Sequence, residues 1–324
     1  MLRIFRQNSI GQVIVIIATA VLLWGRAFVQ PVQATESSVF APLYDLIYGW
    51  LTEVPRLACA VALLVVVGEG IWLNIMLYNH KLIPSNSLLP LYLYLLAMSG
   101  SVEQLTITPL LFVNLMILMA ISQLLSDGST TLEVEKNFNA SFCIGLAALF
   151  YLPAVSYIIP FLFVFVIYKM YRWRHLLVAF FGIIAPSIIL FTYAFMDDKL
   201  PYYLFLMHHD ITSMTVAVGA APVLQRIANT VFLLLLLAAL LHQLGNLNDK
   251  MIHNRINMGI LTLPLLSAAV MLLYSHLFPT DTQAAAFTFA FLMTCFLMAE
   301  RKRKWIGESM LWILIAGVLS TTLI

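Results

Sequence analysis

Residues 175–196 read HLLVAFFGIIAPSIILFTYAFM, with no Asp, Glu, Lys or Arg in the run. An apolar stretch of about 20 residues is long enough for a helix to cross the hydrocarbon core of a bilayer. Its flanks are unequal. Arg172 and Arg174 precede it, and Asp197 and Asp198 follow it. Basic residues collect on the cytoplasmic side of membrane helices. The segment is therefore expected to span with its start inside.

The same reading extends along the chain. Candidate spans are 11–29, 57–77, 88–98, 106–125, 142–152, 153–168, 175–196, 223–244, 259–277, 284–299 and 305–323. The segments 88–98 and 142–152 are too short to cross alone as straight helices, which leaves tilted, broken or re-entrant forms open. Pro109, Pro153, Pro160, Pro186 and Pro264 sit in apolar segments and are expected to kink them. The first run, preceded by Arg3 and Arg6, has the outline of a signal peptide with VQA (32–34) as a cleavage site. It is long enough to span, so it reads as a retained first helix.

Composition agrees. Hydrophobic residues make up 62% of the 324 residues and charged residues 10%, with mean hydropathy +0.96. A soluble domain is closer to half apolar and a quarter charged. The expected fold is all-α: a polytopic transmembrane helix bundle of about 11 spans, in one transmembrane domain over 1–324. With the N-terminus inside and every segment crossing, the inside loops hold 13 of the 17 basic residues. Arg26, Arg56, Lys199 and Arg226 are the exceptions, and all four fall on the outer face. The C-terminus is then outside. No basic stripe interleaves with aromatics, which argues against nucleic acid. Cys59, Cys143 and Cys295 lie in apolar runs without metal-ligand spacing, so no metal site and no cofactor is expected.

The outer face carries the candidate chemistry. FAPLYDLIYGWL (40–51) has Asp45 as its one charge and reads as an interfacial helix, with Tyr44, Tyr48 and Trp50 at headgroup level. Asp45 is a candidate general base, or else a solvated residue on that helix. Glu36 precedes it in the same loop. Arg56 and Arg226 have the donor fork that suits a lipid phosphate, or they snorkel to ordinary headgroups. Arg26 reads as an interfacial anchor. His208, His209 and Asp210 form a dense polar cluster on the long outer loop. There His209 is a candidate acid/base and Asp210 a substrate contact, with a plain loop as the alternative. Glu69 is an intramembrane acid between Gly68 and Gly70. It is expected to face the interior, as a proton carrier or as a structural group bonded to a neighbouring helix such as the one with His242. KMYRWR (169–174) and the basic run 301–304 read as topological signals, and 126–139 as an ordinary inside loop. No Walker, Rossmann, HExxH or nucleophile-elbow motif is present.

TPLLFVNLMILMAISQLL (108–125), NFNASFCIGLAALFYLP (137–153) and YRWRHLLVAFFGIIAPSII (171–189) together resemble a family of Bacteroidota polytopic inner-membrane proteins to which no activity is assigned. The layout is also distantly similar to C-type glycosyltransferases and O-antigen polymerases. That resemblance implies a polyprenyl-phosphate-linked sugar used on the periplasmic face, with Asp45 as base and Glu36 as the next candidate. The tight paired-acid signature of many such enzymes is absent. Two further classes are open: a proton-coupled transporter or flippase of a lipid-linked substrate, and a non-catalytic membrane subunit of an envelope complex. The absence of an internal repeat weighs against transport.

Overall fold

Prolines open many of the helices, because a missing N–H costs nothing in a helix's first turn. In the computed structural model, residues 2–5, 10–33, 39–83, 87–125, 133–169, 172–213, 223–246, 251–274, 280–299 and 304–323 are described. Helices are α1 (Leu2–Phe5), α2 (Ile10–Val29), α3 (Pro42–Leu51), α4 (Pro55–Asn79), α5 (Leu89–Met98), α6 (Pro109–Leu124), α7 (Val134–Phe150) and α8 (Ile158–Ile167). They continue with α9 (Trp173–Met196), α10 (Leu200–Ser213), α11 (Val223–Gly245), α12 (Ile252–Thr262), α13 (Pro264–Tyr274), α14 (Ala286–Ala299) and α15 (Lys304–Leu323). Single 3₁₀ turns cover Val102–Leu105, Leu152–Tyr157 and Thr280–Ala285. No strand occurs among the described residues.

Among the described residues four helices, α2, α4, α9 and α11, are long and apolar enough to cross a membrane, and several shorter apolar helices accompany them. Large apolar side chains stay exposed along their outer faces, including Leu64 on α4, Phe180, Ile189 and Phe195 on α9, and Leu234 and Leu241 on α11. So much apolar surface in water would drive aggregation; facing lipid it is solvated. The arrangement is that of a membrane protein. By contrast every residue of α5 is buried.

Hydrogen bonds gather element ends at two poles. At the first, Arg26 Nη1 donates to the Thr322 carbonyl (3.1 Å) and Thr321 Oγ1 to that of Gly100 (2.8 Å). Gln104 Nε2 donates to Thr282 Oγ1 (3.1 Å), and Thr108 Oγ1 to Gln283 Oε1 (2.9 Å). Tyr44 Oη donates to the Ile107 carbonyl (3.0 Å), and the Leu152 N–H to that of Phe40 (3.2 Å). The Phe40 N–H donates to Asp210 Oδ2. Neighbouring residues join these bonds into one web. At the opposite pole, the Leu88 N–H donates to Gln12 Oε1 (2.9 Å), Tyr168 Oη to the Leu124 carbonyl (2.7 Å) and Asn137 Nδ2 to that of His175 (2.9 Å).

These bonds fix helix directions. Gln12 meets Leu88, and Trp24 Nε1 donates to Ser99 Oγ (3.0 Å). So α5 runs parallel to α2 over about 18 Å of rise. The 88–98 segment does not turn back to the side it started from. The α7 residues Asn137, Ser141 and Gly145 meet, in that order, His175, Gly182 and Ile183 along the first half of α9. These helices are therefore parallel, with α8 returning between them. Phe232 stacks on Phe289 (4.1 Å) and His242 meets Phe296 edge-on (4.9 Å), so α11 and α14 are parallel too.

Several expectations are corrected. The 142–152 segment is not short, because α7 begins at Val134 inside the stretch expected to be a loop. The polar residues Glu135, Lys136 and Asn137 hid its first turns. Of the five prolines, only Pro186 lies within a continuous helix. Pro109 begins a helix, Pro153 sits in a 3₁₀ turn and Pro160 in the first turn of α8, where each lacks only a bond that helix starts never make, whereas Pro264 does interrupt its segment, which breaks at Leu263 into α12 and α13. The long loop after α9 contains α10. Glu36, Arg6, Lys250 and Arg301 to Arg303 lie outside the described residues.

Candidate functional site

The first pole brings α3 and α10 together. Pro42 starts α3, and Asp45 in its first turn complements the helix dipole. Tyr44 is fully buried, with its hydroxyl on Ile107 and its ring 6.0 Å from Tyr48. The Tyr44 ring thus faces the bundle and pins the helix. One position on, Asp45 is exposed.

The turn into α10 runs through Asp198, which adopts a left-handed conformation (φ 54°), while the Lys199 N–H reaches the Ala194 carbonyl (2.9 Å). This is a helix-end turn more often made with glycine, and aspartate is among the residues that tolerate it. Lys199 pairs with Asp197 at 2.5 Å, and that hydrogen-bonded carboxylate raises the Lys199 ammonium above its ordinary value. Both are well exposed, so the pair adds little stability.

His208, His209 and Asp210 therefore stand on a helix. His209 Nδ1 is 3.4 Å from Asp210 Oδ1, and their side chains are 62% and 14% exposed. Asp210 Oδ2 accepts the Phe40 N–H, and the Tyr203 ring meets the Phe40 ring edge-on at 6.2 Å. The Asp210 carboxylate thus faces the fold as a tether, while His209 faces out. Phe40 is just over one turn from Asp45, so the tether carries His209 and Asp45 to the same pole. Arg56 and Arg226 are exposed and make no ion pair among the described residues. Arg26 is anchored on α15 through Thr322. Among the described residues no cluster of three or more His, Cys, Asp or Glu could hold a metal.

The tether has a measurable value. Asp210→Ala is expected to leave the buried Phe40 N–H without its acceptor and to cost about 2 kcal/mol. Asp210→Asn, which keeps a carbonyl oxygen, should recover more than half of that. Thermal unfolding in detergent and hydrogen exchange at Phe40 read the difference.

A second polar centre lies inside the bundle. Glu69 is 1% exposed, and its partner is Tyr94 on α5, whose hydroxyl donates to Glu69 Oε2 at 2.5 Å. His242 instead packs on Phe296 and meets Asn246, just past the end of its own helix. Asn114 stands beside the Tyr94 hydroxyl, and Asn114 Nδ2 also donates to the Gln283 carbonyl (2.8 Å). Gly70 makes room for this contact, since a Cβ there would sit 3.3 Å from Leu91 Cγ. Sequence reading missed Tyr94, Asn114 and Gln283. Their one signal is an isolated polar group within or next to an apolar run.

No protein-family model matches the chain, and comparisons with curated proteins and with solved structures find no match.

Proposed function

We propose that the chain is a multi-pass inner-membrane protein of about eleven crossings, with its N-terminus inside and its C-terminus outside. In this reading the first pole is the periplasmic face, α3 is an interfacial helix of the first outer loop, and the protein transfers a sugar from a polyprenyl-phosphate carrier. The charge asymmetry of the loops supports the orientation, and the two-pole hydrogen bonding supports the alternation.

The observation that carries the functional reading is the Phe40–Asp210 tether, which holds Asp45 and His209 at one pole. Asp45 accepts the proton of an acceptor hydroxyl as that oxygen attacks the anomeric carbon. The bond from that carbon to the phosphate oxygen breaks, and the polyprenyl phosphate leaves with the electron pair. Arg56 and Arg226 hold its charge, and His209 assists at the hydroxyl. Glu36 is the alternative acid in the same loop.

Membrane vesicles carrying the protein test this with a labelled polyprenyl-phosphate sugar. Right-side-out vesicles are expected to consume the outward-facing donor and release polyprenyl phosphate. No turnover in either vesicle orientation overturns the activity. Turnover confined to inside-out vesicles overturns the orientation.

A further inference from the structure

Glu69 has no part in the chemistry proposed for the first pole. Its Oε2 receives one hydrogen bond, from Tyr94, and its Oε1 is buried without a partner. A carboxylate in such surroundings would have one donor to offset the loss of its hydration, which is costly inside a bundle. No arginine, lysine or histidine among the described residues bonds or pairs with it. The elements packed on α4 are α2, α3, α5, α6 and the Val102–Leu105 turn. Their titratable groups are Arg26, Tyr44, Asp45, Tyr48, Tyr92, Tyr94 and Glu103, and of these Tyr94 alone contacts the carboxyl. On α4 itself Arg56, Cys59 and Tyr78 lie two turns or more away along the helix.

Glu69 is also wired to its surroundings. Asn114, beside Tyr94, has a buried Oδ1 without a hydrogen-bond partner, and its amide nitrogen holds the Gln283 carbonyl. Thr108 grips the Gln283 side chain in the web at the first pole. A change of charge at Glu69 therefore acts on α5 through Tyr94 and on the head of α14 through Gln283.

We propose that Glu69 is a proton-binding site within the bundle, with the proton on the open Oε1 and Tyr94 holding the other oxygen. The ligand is the proton, and its loss leaves a carboxylate held by the Tyr94 hydroxyl. The proposal is independent of sugar transfer at the first pole.

Dicyclohexylcarbodiimide tests it on the full-length protein in native membranes. This apolar reagent adds to protonated carboxyls: a carboxyl oxygen bonds the carbodiimide carbon, the proton passes to nitrogen, and rearrangement leaves an acylurea. Mass spectrometry is expected to find the adduct on Glu69, with yield falling as pH rises. Tyr94→Phe removes the one donor that favours the charged form, so the pH of half-labelling should rise by about one unit or more. Glu69→Gln, which keeps an acceptor for Tyr94, should fold and lose the adduct. No adduct on Glu69 at any pH overturns the proposal, as does a yield that ignores both pH and Tyr94→Phe. Protection by sodium at constant pH also overturns it, because the ligand would then be a metal cation. None of these readouts depends on glycan transfer.

Discussion

Asp45→Asn is expected to lower the rate of sugar transfer by about 100-fold or more while leaving the protein folded. Positioned general bases contribute about 10²–10⁴-fold, and asparagine keeps the shape of the side chain without its basicity. The fold should lose little, because Asp45 is exposed, asparagine also suits a helix's first turn, and the neighbouring Tyr44 is buried and bonded to Ile107. Tyr44→Phe provides the contrast. It removes the bond to Ile107 and loosens α3 without touching the base, so its loss should be several-fold. Burial, then Tyr48 and Asp45, push the Tyr44 phenol well above its ordinary value. The phenol therefore stays a donor at neutral pH, and its bond is lost only as pH rises beyond the ordinary phenol range. A fall in rate on acidification then belongs to the base and not to Tyr44. Initial rates in vesicles, normalised to folded protein, measure all of this. Full activity in Asp45→Asn would remove Asp45 from the mechanism.

Gly145→Ala is the substitution expected to damage the fold most. A Cβ at Gly145 would lie 2.3 Å from the Ile183 carbonyl oxygen and 3.1 Å from both Ile183 C and Pro186 Cγ. The first of these is backbone of α9 and cannot rotate away. Helices α7 and α9 would have to separate, at a cost of about 3 kcal/mol. The seam follows the small-residue pattern that lets membrane helices approach closely, with Ser141 against Gly182 and Gly145, four residues on, against Ile183. At Gly182 a Cβ would meet Ser141 Oγ first, at 2.0 Å. That hydroxyl can turn, but the Phe138 carbonyl oxygen and Ser141 Cβ, both at 3.0 Å, cannot, so Gly182→Ala should also be costly, though less than Gly145→Ala with its 2.3 Å backbone contact. Gly68→Ala is the control: nothing lies within 4 Å of its Cβ, and alanine suits a helix better by up to about 1 kcal/mol. Melting in detergent should rank the three, and a Gly145→Ala protein as stable as the parent would refute the close seam.

Apolar runs located most of the helices, and the reasons for the failures are physical. Segment 175–196 is apolar throughout, and α9 matches it closely. Helix α7 was cut short because polarity was taken for a loop, although Asn137 is buried with its amide on the His175 carbonyl. Helix α5 looked too short to cross, and its ten residues alone do not show that Gln12 and Trp24 bracket it. At the first pole the sequence singled out Asp45, His209 and Asp210. It did not show that Asp210 binds backbone, because Phe40 is 170 positions away. The intramembrane acid stood out as a lone charge, whereas its partner Tyr94 looked like any apolar-run tyrosine.

The enclosure of α5 also has a consequence for how the chain is made. Helix α5 packs on α4, α14 and α15, and two of these three lie in the last forty residues. Three polar groups just beyond α5 are bonded from the same late region. Gln104 waits for Thr282, Thr108 for Gln283 and Gly100 for Thr321, at separations of 178, 175 and 221 positions. A ribosome that has delivered α5 to the insertion machinery has therefore not yet made the groups that complete its surroundings. The seam around α5 is complete only once α14 and α15 are made. Pairings this distant in sequence form late. Loss of α15 is thus an injury to α2 and α5, far earlier in the chain, as much as to its own end of the fold.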